Sequence, residues 1–175
     1  MITPEYKKLL TDHHKNNPRW GTTAGRFIQQ VERITRNTYC FDGLDYGCGK
    51  GALKKGYKGQ ARFGEYDPAI AGKDTIEGRF DIVTCIDVLE HIEPEHINEV
   101  LREVLGLAKK VAFLVISTRP AIEVLPDGRN AHLIVESGDW WAAKVSKFSG
   151  KGSISIESRN NNEISITIYK KDGAE

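Results

Sequence analysis

The chain has 175 residues, 39% of them hydrophobic and 28% charged, which is typical of one globular domain with a real core. Lys and Arg number 25 against 24 Asp and Glu, so no overall charge favours nucleic acid or an anionic membrane as a partner. Three cysteines without a CxxC spacing argue against both a disulfide framework and a zinc site. With no signal-peptide pattern and no run of 18 apolar residues, we expect a cytoplasmic protein without membrane insertion.

The first 38 residues predict a helical lead-in. Residues 4–15 have a helical pattern, and NNPRWG then interrupts it. Thr22 or Thr23 can cap a second helix that extends to about Arg36. We expect residues 1–38 to form this lead-in, with a covering role at the site, and residues 39–175 to form the domain proper.

From residue 39 onward, strand and helix patterns alternate. Predicted strands cover residues 41–46, 61–66, 79–86 and 111–117, and predicted helices cover 52–57, 94–109 and 138–147. The strands at 79–86 and 111–117 are nearly continuous apolar runs, as in strands buried on both faces of a parallel sheet. Strict alternation in 153–156 and 164–168 predicts a terminal antiparallel hairpin. The fold class is therefore α/β with a mixed sheet.

A glycine-rich loop follows the first predicted strand, in "LDYGCGKG" (44–51). Gly47, Gly49 and Gly51 allow the backbone to turn tightly and approach a ligand with its N–H groups pointing outward. The spacing also fits a dinucleotide fingerprint, with Asp67 placed 20 residues after Gly47 to bind a ribose. However, Asp45 would repel a pyrophosphate and attract a ligand that carries an ammonium group. The short chain also fits one nucleoside better than two.

Three motifs that follow one another along the chain together resemble those of a known family. "LDYGCGKG", "GEYDP" (64–68) and "FDIVTCIDVLEHI" (80–92) resemble the motifs of class I S-adenosylmethionine-dependent methyltransferases. The resemblance implies a Rossmann-like three-layer sandwich and S-adenosylmethionine as the cofactor. It implies that Asp67 binds both ribose hydroxyls and that Asp45 lies near the ammonium group. The implied cofactor-binding residues are Asp45, Gly47, Cys48, Gly49, Gly51, Asp67, Ile86 and Asp87, the last two near the transferred methyl group.

The sequence departs from the family pattern after the second strand. Only "PAIAGKDTIEG" (68–78) separates that strand from "RFDIV", which is too short for the usual helix, strand and adenine-contacting acid. This shortening suggests that the sheet lacks an edge strand and leaves the adenine contacts unassigned, because Asp74 is a poor substitute.

"DVLEH" (87–91) and a later loop supply the candidate catalytic groups. Asp87, Glu90 and His91 would share one face of a helical turn and could hold a divalent ion. The element resembles the metal-binding motif of ubiquinone-type O-methyltransferases and of small-RNA 3′-terminal ribose methyltransferases. The latter carry Glu at the position of Asp87 and use a later histidine, for which His132 is available. Alternatively, Glu90 and His91 only organise the loop. We assign catalytic roles to His132, as general base, and to Asp87 and His91. Acceptor recognition is assigned to the loop residues Asp127, Arg129, Asn130 and His132.

These observations lead to one expected function and three alternatives. We expect methyl transfer to an oxygen of a small metabolite, a sugar or a lipid precursor. The first alternative is an RNA 3′-terminal ribose methyltransferase with a metal site. The others are a non-catalytic module that binds S-adenosylmethionine or a nucleotide, and a nicotinamide-dependent enzyme.

Overall fold

The computed structural model describes residues 2–159 and 162–171, and one mixed sheet forms its centre. The described strands are β1 Asp42–Tyr46, β2 Arg62–Tyr66, β3 Phe80–Ile86, β4 Ala108–Ser117, β5 Ser153–Arg159 and β6 Glu163–Tyr169. They are ordered β2-β1-β3-β4-β6-β5, with the first four parallel and β6 antiparallel to both of its neighbours. The predicted class, mostly parallel with a terminal antiparallel hairpin, is confirmed.

The helices differ from their predicted bounds in a few places. They are α1 Pro4–Asn16, α2 Ile28–Asn37, α3 Ala52–Gly56, α4 Ile97–Leu107 and α5 Gly138–Ser146, with short 3₁₀ helices at Thr23–Phe27 and Leu89–His91. The helix predicted at 94–109 begins later, because a turn closed by the His96 N–H and the Glu93 carbonyl precedes it. It also ends earlier, since β4 begins directly after Leu107.

Helices cover both faces of the sheet and give three layers. On one face, α4 and α5 pack Leu101 and Trp141 against β4 residues such as Leu114, and all three are fully buried. On the other face, the 3₁₀ helix and α2 pack Phe27 and Val31 against the opposite side of β4. The presence of helices on both faces of the sheet explains the continuous apolar runs of the central strands, because both faces of these strands are buried. The predicted three-layer sandwich is confirmed.

The sheet ends at β2, as the short segment after it predicts. Residues 67–79, all of them described, form turns and bends without a strand. Backbone hydrogen bonds from Asp67 N to Lys73 O and from Lys73 N to Ile70 O fold this segment back on itself. The carboxyl ends of β1, β2, β3 and β4 therefore open on one edge of the sheet, where ligands bind in open α/β folds.

The N-terminal segment, defined here as residues 2–27, lies across this edge. Tyr6 of α1 is buried against Leu125 and Ala131 of the loop after β4. By contrast, α2 packs in the same helical layer as α3, so the boundary predicted at residue 38 stays a prediction. Within the described residues, no helix is long and apolar enough to span a membrane.

Candidate active site

A cavity of about 640 Å³ opens at the carboxyl edge of the parallel strands. Its walls come from the N-terminal segment, the glycine loop, the turns after β2 and β3, and the loop after β4. Of the predicted site residues, those that line it are Gly47, Gly49, Asp67, Asp87, His91 and His132. Predicted cofactor and acceptor residues thus face one shared space.

The glycine loop can only be built from glycine at its two cavity positions. Gly47 and Gly49 have φ values of 74° and 49°, in the left-handed region. A Cβ atom at Gly47 would overlap the side chain of Val88, and one at Gly49 would overlap the backbone of Gly21. The loop therefore lies tightly between the turn after β3 and the N-terminal segment.

The loop N–H groups do not point outward, contrary to the sequence-based expectation. The N–H groups of Gly47 and Cys48 both donate to the carbonyl of Tyr66, at 2.7 and 2.9 Å. That of Lys50 donates to the carbonyl of Gly21 at 3.0 Å, because the N-terminal segment packs directly on the loop. In this conformation, the N–H groups of Gly47, Cys48 and Lys50 are occupied by carbonyl groups of the protein.

Asp45 is buried behind the glycine loop, in the middle of the sheet. It is 1% exposed, and its Oδ1 accepts a hydrogen bond of 3.0 Å from the Thr84 hydroxyl. Its Oδ2 has no hydrogen-bond partner within the part of the chain that the structure describes. Burial raises the pKa of Asp45 from 3.8 to about 7, since the charged form loses its hydration. A cation nearby would favour the charged carboxylate.

Asp67 follows β2 and presents a fixed carboxylate to the cavity. Its Oδ2 accepts from the Gly49 N–H and its Oδ1 from the Ala69 N–H, both at 3.0 Å. His14 of α1 lies nearby, with its Nε2 3.8 Å from Asp67 Oδ2, and burial lowers the His14 pKa. The N-terminal segment thus lies over the group that the resemblance assigns to the ribose.

The chain after β3 turns sharply at Asp87. Asp87 has a φ of 60°, which a non-glycine residue seldom adopts, and its Oδ2 accepts a hydrogen bond of 2.7 Å from the Thr23 hydroxyl. Such a strained backbone is retained where surrounding contacts fix it, and these positions concentrate at functional sites. Here the turn directs the chain from the sheet into the cavity wall.

Asp87, His91 and His132 form one group at the cavity, which we call the acceptor cluster. One potential ligand atom of each residue lies within 4.8 Å of the others, and the two imidazole rings are 4.8 Å apart between centroids. Burial lowers the pKa of His91 to about 4, which keeps this imidazole neutral at pH 7.

Glu90 does not belong to the acceptor cluster, which corrects the predicted metal set of Asp87, Glu90 and His91. Glu90 is fully buried, and its Oε1 accepts a hydrogen bond from the Ser117 N–H. Burial, followed by the nearby Asp87 carboxylate, raises the pKa of Glu90 well above its usual range. The side chain points into the protein because the turn at 89–91 is a short 3₁₀ helix and not the expected α-helical turn. His132 takes the third place in the cluster.

Several other predicted residues lie outside the cavity lining. Cys48 is buried, and Gly51 packs beside Glu65. Ile86 faces the core layer that contains Phe27, while its neighbour Val88 lines the cavity instead.

Most of the predicted acceptor residues in the loop after β4 also lie outside the cavity lining. Asp127 and Arg129 form an ion pair with each other, at 2.7 Å, and Asn130 hydrogen bonds to the backbone of Ala121. Only His132 of the four predicted loop residues lines the cavity. Sequence reasoning missed Arg19 and Arg119, which also line it, although each is a basic residue directly beside a segment already assigned to the site.

Comparison with solved structures identifies the fold. A Burkholderia thailandensis 1,6-didemethyltoxoflavin-N1-methyltransferase, with bound 1,6-didemethyltoxoflavin and S-adenosylhomocysteine, gives a TM-score of 0.64 at 15% identity over 98% of this chain and 92% of that chain. Magnesium protoporphyrin IX methyltransferase from Synechocystis PCC 6803, with bound S-adenosylhomocysteine, gives 0.59 at 16% identity over 98% and 89%. The complex of DhpI with S-adenosylhomocysteine gives 0.65 at 15% identity over 95% and 97%.

At the level of sequence, no protein-family model and no curated protein matches the chain. The structural likeness covers nearly the whole of this chain and of those proteins, and its low identity limits it to the fold. The chain has the fold of the class I S-adenosylmethionine-dependent methyltransferases.

Proposed function

We propose that the chain is an S-adenosylmethionine-dependent methyltransferase that methylates an oxygen of a small metabolite, a sugar or a lipid precursor. The observation that carries the proposal is the shared cavity. Gly47, Gly49 and Asp67 line the side that the resemblance assigns to the cofactor, and the acceptor cluster lines the other side. A methyl donor and an acceptor placed there would meet within one shared cavity.

The residues present fit this cofactor. Each oxygen of Asp67 accepts one backbone hydrogen bond and keeps capacity for another, as two ribose hydroxyls require. Asp45 supplies a buried carboxylate oxygen without a partner among the described residues, and this oxygen would be stabilised by positive charge nearby. The cofactor, when bound, supplies a methyl group on a positively charged sulfur.

The chain's own contribution is alignment, exclusion of water and removal of a proton. Trp20 and other residues of the N-terminal segment cover the cavity, and Trp20 packs edge-on against His91 with 4.9 Å between ring centroids. The Nδ1 of His132 lies 2.6 Å from the Arg119 carbonyl, which can only accept, so Nδ1 carries the hydrogen. The Nε2 lone pair of His132 is then free to accept a proton from an acceptor hydroxyl.

A ribose at an RNA 3′ end is the second candidate acceptor. It is supported by the acceptor cluster, whose residue types suit a metal, and by the position of Arg19 and Arg119 at the cavity. Arginine side chains favour phosphate groups. A panel of acceptors that includes short RNA separates this candidate from small hydroxylated metabolites.

The cofactor is tested by calorimetric titration with S-adenosylhomocysteine. We expect binding by the wild type, and at least about 30-fold weaker binding by Asp67→Ala, because hydrogen bonds to a charged group contribute about 1.5–3 kcal/mol each. Asp74→Ala is the matched control, since Asp74 is 43% exposed in the same loop and pairs with Lys7. A folded protein that binds NAD but not S-adenosylhomocysteine would overturn the proposal. Cofactor binding without turnover over a broad acceptor panel would favour the non-catalytic module.

A further inference from the structure

We propose that Arg19 and Arg119 bind an acidic group, a carboxylate or a phosphate, on the acceptor molecule. Both residues line the cavity, Arg19 from the N-terminal segment and Arg119 from the loop after β4. A guanidinium group offers several N–H donors in a planar fork that matches the oxygens of a carboxylate or a phosphate. The inference rests on the proposed function and narrows its substrate class, because the acceptor becomes a small hydroxylated acid.

The two arginines differ from Arg26, the third arginine of the cavity lining. Arg26 forms an ion pair with Glu163, at 3.4 Å. Within residues 2–159 and 162–171, neither Arg19 nor Arg119 forms an ion pair with an acidic residue. The Nη1 of Arg119 lies 3.3 Å from the Pro120 carbonyl, a contact that does not neutralise its charge. Two positive charges without an acidic partner therefore favour an anionic ligand in this cavity.

The acidic residues of the cavity favour a small acid over a nucleic acid. Four of them line it, namely Asp67, Asp87, Glu123 and Glu163. Glu123 accepts a hydrogen bond of 3.0 Å from the Asn17 amide, and the other three also have partners within the protein. A chain of successive phosphates would meet these carboxylates, whereas a single acidic group needs only the two arginines.

Both arginines are connected to the acceptor cluster. The carbonyl of Arg119 lies 2.6 Å from the Nδ1 of His132. Arg19 directly precedes Trp20, whose ring packs against that of His91 with 4.9 Å between centroids. An acidic group bound by the two arginines would thus anchor the acceptor beside this cluster. A hydroxyl elsewhere on the same small molecule could then reach the Nε2 of His132.

Side-chain hydrogen bonds hold the backbone near both arginines. The N–H of Arg19 donates to the Asn17 Oδ1 at 3.2 Å. In the loop that contains Arg119, Asn130 forms two hydrogen bonds of 2.9 Å with the backbone of Ala121. Asn130, a predicted acceptor-binding residue, is thereby a positioning residue for Arg119. A backbone that is ordered before binding lowers the entropy lost when the ligand binds.

The test is a titration of the purified chain, without cofactor, with three phenols that differ in one group. The probes are 3-hydroxybenzoate, 3-hydroxyphenyl phosphate and the neutral 3-hydroxybenzyl alcohol. Nitrogen–proton NMR of the arginine Nε–H groups follows each arginine separately, with signals assigned from Arg19→Lys and Arg119→Lys. We expect at least one acid to shift both signals and to bind at least about 10-fold more tightly than the alcohol, because hydrogen bonds to charged groups are the stronger ones. The tighter acid identifies the acidic group of the acceptor.

Three variants separate direct contact from general charge. Arg19→Gln and Arg119→Gln should each weaken the tighter acid at least about 10-fold and leave the affinity for the alcohol unchanged. Arg129→Gln is the matched control, because Arg129 lies in the same loop as Arg119 but pairs with Asp127 outside the cavity lining. This control should bind the acid as the wild type does.

Three results would overturn the anion site for a small acid. The first is equal affinity for the acids and the alcohol, and the second is an equal effect of Arg119→Gln and Arg129→Gln. The third is a short RNA that shifts the same two signals and binds at least about 100-fold more tightly than the phosphate probe, since several phosphates would then contribute. That result would favour the RNA 3′ end as the acceptor.

The anion site and the proposed function fail in different ways. If S-adenosylhomocysteine binds but neither acid shifts the two signals, the anion site is overturned and the methyltransferase proposal stands. If an acid binds as expected but S-adenosylhomocysteine does not, Arg19 and Arg119 still form an anion site, and its role in methyl transfer falls with the proposed function.

Discussion

Asp45→Asn should change how stability depends on pH. The pKa of Asp45 is raised from 3.8 in the unfolded chain to about 7 by burial, so the folded protein favours the protonated acid. Its contribution to stability is fully present below pH 3.8 and is lost as the pH rises through about 7. A rise of about three pH units corresponds to about 4 kcal/mol in total, of which about 2.5 kcal/mol is lost between pH 5 and pH 8.

Asparagine cannot ionise, so the variant should not lose this free energy. The amide also leaves a buried donor in place of the unpartnered Asp45 Oδ2, and this constant cost of about 1–3 kcal/mol does not depend on pH. We therefore compare the unfolding free energies of Asp45→Asn and the wild type at each pH. The informative quantity is how this difference changes as the pH rises. We expect the variant to gain about 2.5 kcal/mol on the wild type from pH 5 to pH 8.

Urea unfolding followed by tryptophan fluorescence at several pH values measures this change. Asp42→Asn is the control, because Asp42 is exposed at the start of the same strand. A difference between Asp45→Asn and the wild type that stays constant from pH 5 to pH 8 would refute the reasoning. If positive charge on the ligand stabilises Asp45, the variant should also bind S-adenosylhomocysteine more weakly at pH 8, opposite in sign to its effect on stability.

Two further substitutions test the loop and the N-terminal segment. Gly47→Ala should cost at least about 2 kcal/mol and abolish S-adenosylhomocysteine binding, because the new Cβ overlaps Val88. Gly72→Ala has a similar φ, with no atom within 4 Å of the new Cβ, and should cost about 1 kcal/mol; equal costs by urea unfolding would dismiss the overlap. Tyr6→Phe removes a 2.7 Å hydrogen bond to the His91 carbonyl and should cost about 1 kcal/mol; an unchanged unfolding midpoint would show that this bond does not stabilise the segment.

The sheet could be predicted because its signals are local. Strands buried on both faces appear as continuous apolar runs, and the half-exposed hairpin appears as strict alternation. The segment after β2 was visibly too short for another strand. The predicted ends of helices and strands were wrong where no turn residue marks the boundary. At Leu107, a helix passes directly into a strand without a loop.

The acceptor cluster was only partly predictable, for a physical reason. The spacing of Asp87, Glu90 and His91 places them on one face only if the chain continues as an α-helix. The left-handed backbone at Asp87 and the short 3₁₀ helix after it break that periodicity and turn Glu90 into the core. His132, which the resemblance had placed with this element, joins the cluster through the fold of a loop about 40 residues later, a contact that helical periodicity alone does not encode.

The N-terminal segment forms hydrogen bonds with several segments around the site. Thr3 donates to the Glu93 carboxylate, Thr11 donates to the Ala69 carbonyl beyond β2, and the Gly21 carbonyl accepts from the glycine loop. Trp20 and Gly21 of this segment also line the cavity. If the segment opens for ligand entry, a variant such as Tyr6→Phe should speed both association and dissociation of S-adenosylhomocysteine more than it changes the affinity.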